Sequence, residues 1–256
     1  IIKLFERAIN FFKNIKMERC RMRDISAQEI TNVVEKLCVE ACSQLPQQMA
    51  NALKQAEKDE PSPVGRDILA QLVKNADIAA NEDVPICQDT GLAVVFADIG
   101  QDVHIVGGDF TEAVNKGVHN GYVNGYLRKS SVAEPLFERK NTGDNTPAII
   151  HIRIVPEDKI NIRLAPKGAG SENKSRLTML VPADGVEGVR KAILDAVVAA
   201  GPNSCPPMVV GVGIGGNMEM ACLLAKRAAA RDVGTQNPDQ RYAAFEKDLL
   251  DMINKT

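Results

Sequence analysis

The apolar residues of this sequence change period partway along the chain, and that change restricts the fold more than any other feature. From residue 24 to about residue 80 they recur at helical spacing. From residue 92 onward they fall in short β-branched runs separated by further helical stretches. The pattern predicts a mixed α/β protein: an all-helical N-terminal part followed by an α/β body with mixed sheets. We divide the chain into an N-terminal extension (1–23), a helical subdomain (24–84) and a body (85–256) that is continuous with it.

Ser26, followed by Glu29 three residues on, forms a capping box ahead of Ile30, Val33, Val34, Leu37, Val39 and Ala41. Cys38 and Cys42 lie four apart on one face of that helix. Two cysteines alone make a poor metal site, so the spacing predicts core packing. PQQMANALKQAEKDE and PSPVGRDILAQLVKNADIAANE predict a second and a third helix, the latter starting at Ser62–Pro63. LAVVFADIG (92–100), TMLVP (178–182) and PMVVGVGI (207–214) predict strands. AIIHIRIVP (148–156) and INIRLAP (160–166) alternate apolar and polar residues, and the Pro-Glu-Asp-Lys connection predicts a hairpin. TEAVNKGVHNGYVNGYLRK, VEGVRKAILDAVVAAG, NMEMACLLAKRAAAR and QRYAAFEKDLLDMINK predict the intervening and terminal helices.

A formal net charge of -2 lends no support to a nucleic acid or acidic-membrane partner. Aromatics at 4% without Trp argue against base stacking. Six cysteines spread irregularly over 256 residues are unlike a dense disulfide framework and point to a reducing, cytoplasmic setting. No apolar run reaches the roughly 20 residues that span a bilayer. The opening IIKLFERAINFFKNIK reads as a packing helix, a membrane-surface helix or an upstream extension, with Met17 and Met22 as alternative starts.

Four stretches are too polar or too glycine-rich for regular elements, and each lies at an element boundary. They are PICQDTG (85–91), NTGDNTPA (141–148), KGAGSENKS (167–175) and NSCPP (203–207). PICQDTG reads either as a concentrated polar site or as a turn in which Asp89 and Thr90 satisfy backbone amides. The prolines after Cys205 fix the local backbone and present the sulfur in a set direction. KGAGSENKS exposes backbone N–H groups suited to carboxylate or phosphate oxygens, without the spacing of a phosphate-binding Walker loop. GVGIGG (211–216) departs from the dinucleotide fingerprint and predicts a tight turn ahead of a helix near Asn217.

Together PICQDTG, GYLRKSSVAEPLFERKNTGDNTPA, KGAGSENKS and NSCPP followed by VGVGIGG resemble, in order, the iron–sulfur-dependent class I fumarate hydratases and the related L-tartrate dehydratases. The likeness is to their α-type region and runs from about Ile25 to the end. It implies a 4Fe–4S cluster held by three cysteines, with the fourth iron open to substrate. It also implies Cys87 and Cys205 as cluster ligands, and Gln88 and Asp89 as substrate contacts, Asp89 moving a proton. Arg128 would grip a substrate carboxylate, and Gly168 or Gly170 would offer it a backbone N–H. The third cluster cysteine is expected beyond Thr256, and a β-type subunit or C-terminal domain is expected to supply the remaining groups within an oligomer. The implied reaction is reversible hydration of fumarate to malate, a step of the tricarboxylic acid cycle, because KGAGSENKS resembles the fumarase form of its loop. The alternatives are L-tartrate dehydration, a non-catalytic metal-binding protein that keeps the fold, and a nucleotide-binding module built on GVGIGG.

Overall fold

The computed structural model describes residues 22–205 and 207–256. The opening helical pattern with Met17, and Cys20 and Pro206, lie outside the described residues. The chain is mixed helix and strand, as its periodicity predicts. Its strands are β1 (Arg23–Ser26), β2 (Leu92–Gly100), β3 (Val103–Val106), β4 (Ile149–Val155) and β5 (Ile160–Lys167). Its helices begin with α1 (Ala27–Ser43), α2 (Gln47–Asp59), α3 (Pro63–Glu82) and α4 (Phe110–Asn124). They continue with α5 (Ala169–Glu172), α6 (Gly185–Ala200), α7 (Met218–Ala229) and α8 (Gln240–Ile253).

The capping box forms as read. Ser26 Oγ accepts from Glu29 N at 3.1 Å, and Glu29 Oε2 accepts from Ser26 N at 3.0 Å. Helix α1 buries Ile30, Val34, Cys38 and Cys42 at four-residue intervals, so the two cysteines are core residues, while Val33 faces solvent. The buried stripe lies against α4, where glycines let the two backbones close. A Cβ at Gly117 would come within 2.6 Å of Val34 Cβ, and one at Gly121 within 2.6 Å of Cys38 Cβ. Thr31 Oγ1 donates to Ala113 O across the contact at 3.0 Å.

The main sheet has the order β4-β2-β5, with β2 parallel to β4 and antiparallel to β5. The expected hairpin is therefore absent: β4 and β5 flank β2 and do not pair with each other. The short connection instead crosses the end of β2. Gly100 makes room for it, because a Cβ there would sit 2.3 Å from Glu157 O. Lys159 O accepts from Gly100 N at 2.8 Å. Strand β1, which the sequence reading takes as helix, pairs in parallel with β3. The alternation in β4 and β5 survives the change of partner. One sheet face (Ala93, Val95, Ala97, Ile99 and Leu164) joins the core under α1 and α4. The other carries Phe96, Asp98, His151, Arg153 and Arg163, and α7 lies over it. Arg227 stacks on Phe96 at 5.2 Å and bonds Asp98 at 3.4 Å, while Arg163 donates to Ala230 O.

The segments 178–182 and 207–214 are not strands; among the described residues neither pairs in a sheet. Glycine explains the second. Cβ atoms at Gly211 and Gly213 would lie 2.2 Å from Ala225 O and 2.1 Å from Ala221 O, so this stretch lies directly on the α7 backbone. Gly215 and Gly216, with φ of 88° and 73°, make the tight turn into α7, and Asn217 caps it. The motif serves helix packing and a turn. Among the described residues no helix is long and apolar enough to cross a membrane.

Candidate functional site

The PICQDTG turn sits between the end of α3 and the start of β2, and two of the other polar stretches, KGAGSENKS and NTGDNTPA, bond to it. Asp89 ties it to the KGAGSENKS segment. Its Oδ1 accepts from Gly91 N and its Oδ2 from Ala169 N, each at 3.1 Å. Close approach is possible only because both sides carry glycine. A Cβ at Gly91, whose φ is 61°, would lie 2.2 Å from Lys167 C, and one at Gly168 would lie 2.8 Å from Asp89 Oδ2. Thr90 ties the turn to the Arg128 loop, its Oγ1 donating to Arg128 O at 3.0 Å. Below it, the fully buried Tyr122 donates to Thr90 O at 2.7 Å. Burial pushes that phenol well above its usual range, so it stays a donor. Ile86 N donates to Cys42 O at 2.9 Å, which fixes the turn on α1.

KGAGSENKS is not wholly a loop, because Ala169–Glu172 form a single helical turn. Glu172 anchors this turn by pairing with Lys167 at 3.5 Å and with Lys226 of α7. The Gly201–Ser204 turn that leads to Cys205 packs against the same short helix. Cys205 itself is left-handed, with φ of 58° and ψ of 70°, a conformation L-residues seldom adopt. The polar stretches thus gather at one end of the main sheet's strands: PICQDTG leads into β2, NTGDNTPA leads into β4, KGAGSENKS leaves β5, and the turn before Cys205 packs on the short helix.

Among these loops, Cys87 and Cys205 are free, exposed thiols. Cys87 Sγ accepts from Asp89 N at 3.4 Å and lies 3.4 Å from Gln88 Oε1. Gln88 and Arg128 are exposed, and among the described residues the Arg128 guanidinium pairs with no carboxylate. Gly168 caps the short helix, and the Gly170 position opens onto free space. Asp89 is the least free of the expected site residues, since backbone N–H groups engage both its oxygens.

The site also uses residues that the sequence reading leaves unnamed, chiefly Asn145 and Tyr122, while Thr90, read there as a partner for backbone amides, donates instead to the Arg128 carbonyl. Their signal was partial. NTGDNTPA stood out as a polar stretch, but nothing in its composition marked Asn145 above its neighbours. Beside it, Asp144 is partly buried, which opposes ionisation. Bonds from Thr146 N, His119 and Thr146 Oγ1 outweigh that and hold its carboxyl down at about 2.

The fumarate hydratase (Fumerase) family pattern matches residues 31–256. A protein of Methanocaldococcus jannaschii named "Putative L(+)-tartrate dehydratase subunit alpha" is 40% identical over 233 residues, 88% of this chain and 81% of that protein. The L(+)-tartrate dehydratase subunit alpha of Escherichia coli (strain K12) is 28% identical over 234 residues, 90% of this chain and 76% of that protein. A chain with this set of loops, matched to such relatives along most of its length, is an enzyme of the hydro-lyase class. It belongs to the fumarate hydratase (Fumerase) family.

The family resemblance raises an iron–sulfur cluster, and the donor chemistry separates the cysteines that fit one. Burial pushes the Cys38 and Cys42 thiols up to about 12, and both are packed into the apolar core between α1 and α4. Cys87 and Cys205 are exposed, lie on the converging loops and offer the soft sulfur donors such clusters take. Among the described residues no three His, Cys, Asp or Glu side chains gather as a metal-holding group. The two thiols fit as part of a ligand set.

Proposed function

We propose that this chain is the α-type part of a fumarate hydratase that hydrates fumarate to malate reversibly. The observation that carries the reading is the convergence of the polar loops, with two exposed thiols on them and, beside them, an Arg128 guanidinium that pairs with no carboxylate among the described residues. Cys87 and Cys205 would hold a 4Fe–4S cluster, the remaining ligand coming from outside the described residues. When bound, the cluster supplies a Lewis-acidic iron for the hydroxyl that is added or removed. Arg128 offers a planar fork for one substrate carboxylate. The N–H groups of Gly168 or Gly170 are suited to the same ligand, and Gln88 to a neighbouring oxygen. Asp89 stands next to Cys87 as the proton-transfer group. Its two oxygens accept from Gly91 N and Ala169 N, which hold the carboxyl group in a set orientation beside the Cys87 turn. A β-type partner completes the site, a reading supported by the relatives' names as α subunits. We read the assembly as cytoplasmic.

L(+)-tartrate dehydration is the second reading, and the names of the relatives favour it. The test is anaerobic reconstitution with iron and sulfide, followed by assays on fumarate and on L-tartrate with the partner present. We expect a four-iron spectrum that Cys87→Ser or Cys205→Ser abolishes. Arg128→Lys should raise KM roughly 10-fold or more, because Lys cannot replace the bidentate grip. Turnover of L-tartrate alone would move the assignment to the second reading. An unchanged spectrum in both serine variants, or activity on neither substrate, would overturn the proposal.

A further inference from the structure

We propose that Asn145 is the positioning residue of this site, fixing the Cys87–Asp89 turn and the Arg128 loop in one arrangement. The site's function rests on the fumarate hydratase reading above; the tie itself rests only on geometry.

Asn145 is fully buried. Its Oδ1 accepts from Ser130 N at 2.6 Å, Ser131 N at 3.1 Å and Ser131 Oγ at 3.3 Å. Its Nδ2 donates to Gly91 O at 2.9 Å. Backbone N–H groups only donate and a carbonyl only accepts, so the amide has one satisfied orientation. The side chain thereby spans two loops: the one that follows Arg128 and the one that carries Cys87, Gln88 and Asp89. The Thr90 Oγ1 bond to Arg128 O closes the same pair of loops a second time.

Two independent constraints select asparagine here. The position needs an acceptor on one side and a donor on the other. Asp lacks the donor, and Ser is too short to span the gap. The backbone is also left-handed, with φ of 64°, where Asn is tolerated far better than longer or branched residues. A buried amide that met only half of these partners would leave donors or acceptors unsatisfied in the interior.

Asn145 touches no reacting atom, so its substitution should alter geometry and not the chemical groups themselves. Asn145→Asp keeps the acceptor side and sets a carboxylate against Gly91 O. Asn145→Gly keeps the backbone conformation and removes both sides. The measurement is amide hydrogen exchange on the full chain without cluster, alongside kcat and KM for fumarate in the reconstituted assembly. For Asn145→Asp we expect exchange in 86–91 to quicken roughly tenfold while Ser130 and Ser131 stay protected. Its kcat should fall with KM little changed. For Asn145→Gly both loops should loosen and KM should rise as well. In both variants the β2 amides should keep wild-type protection.

Unchanged exchange in both loops would overturn the proposal. Equal loosening of β2 would also overturn it, because that marks general destabilisation. If the loops respond as expected but the wild-type assembly acts on neither fumarate nor L-tartrate, the tie stands and the proposed fumarate hydratase function falls.

Discussion

Gly91 is a single residue on which two loops depend. It adopts a left-handed backbone, donates to Asp89, and leaves space for the backbone at Lys167 and Gly168. Gly91→Ala meets both penalties together: a strained φ, and a Cβ within 2.2 Å of backbone that cannot swing aside. We expect a loss of about 2–4 kcal/mol in chemical denaturation, with the Cys87 turn displaced from Ala169. A stability within 0.5 kcal/mol of wild type, on the scale of ordinary surface substitutions, would contradict this. Residues of this kind were legible only in part. Cys87, Gln88, Asp89 and Arg128 stood out because reactive side chains in a family-like order announce themselves. Asn145 and Tyr122 did not, because their importance lies in which backbone atoms they reach, and a sequence does not print those partners. For Asp89 the turn reading holds as well: its oxygens accept from the backbone amides of Gly91 and Ala169.

At the scale of elements, local signals carried far and pairing signals did not. Capping, helical period and the glycines before α7 were all readable, because each acts within a few residues. The β4–β5 hairpin was misread because alternation reports which faces a strand shows, not which strand lies beside it. The 178–182 and 207–214 segments misled for a related reason: β-branched residues satisfy strand propensity even where no neighbour pairs with them. The α1–α4 contact offers a direct test of element packing. Its helices approach where Gly117 and Gly121 face Val34 and Cys38. Gly121→Leu should drive them apart, costing about 1–3 kcal/mol in urea denaturation. It should also let Cys38 react with a thiol reagent under conditions where the wild-type residue is protected. A Cys38 that stays unreactive in a fully stable variant would refute this account of the contact.

Across the whole molecule, two different kinds of surface hold the sheet. One face is closed by an apolar core under α1 and α4, the other by charged and aromatic contacts beneath α7. The second closure carries the site, because Lys226 of α7 also holds Glu172 of the short helix against Lys167. Arg227→Ala should release α7 from Phe96 and Asp98 at a cost of about 1 kcal/mol, since the pair is partly exposed. Limited proteolysis should then cut faster between residues 230 and 239, and the effect should shrink in high salt as the wild-type contact weakens. An identical digestion pattern at low salt would show that α7 is held by other means.

The chain crossing over Gly100 has a consequence for how the molecule assembles. Residues 148–166 carry every local instruction for a two-stranded ribbon, yet the finished sheet requires them to stand apart with β2 between. Directly paired, they would form quickly from neighbouring residues, whereas the native pairing of β2 with β4 must close a loop of about 50 residues. Synthesis order offsets this handicap. β2 leaves the ribosome before either flanking strand exists, so a template is waiting when β4 emerges, and β5 arrives to find its ribbon partner already engaged.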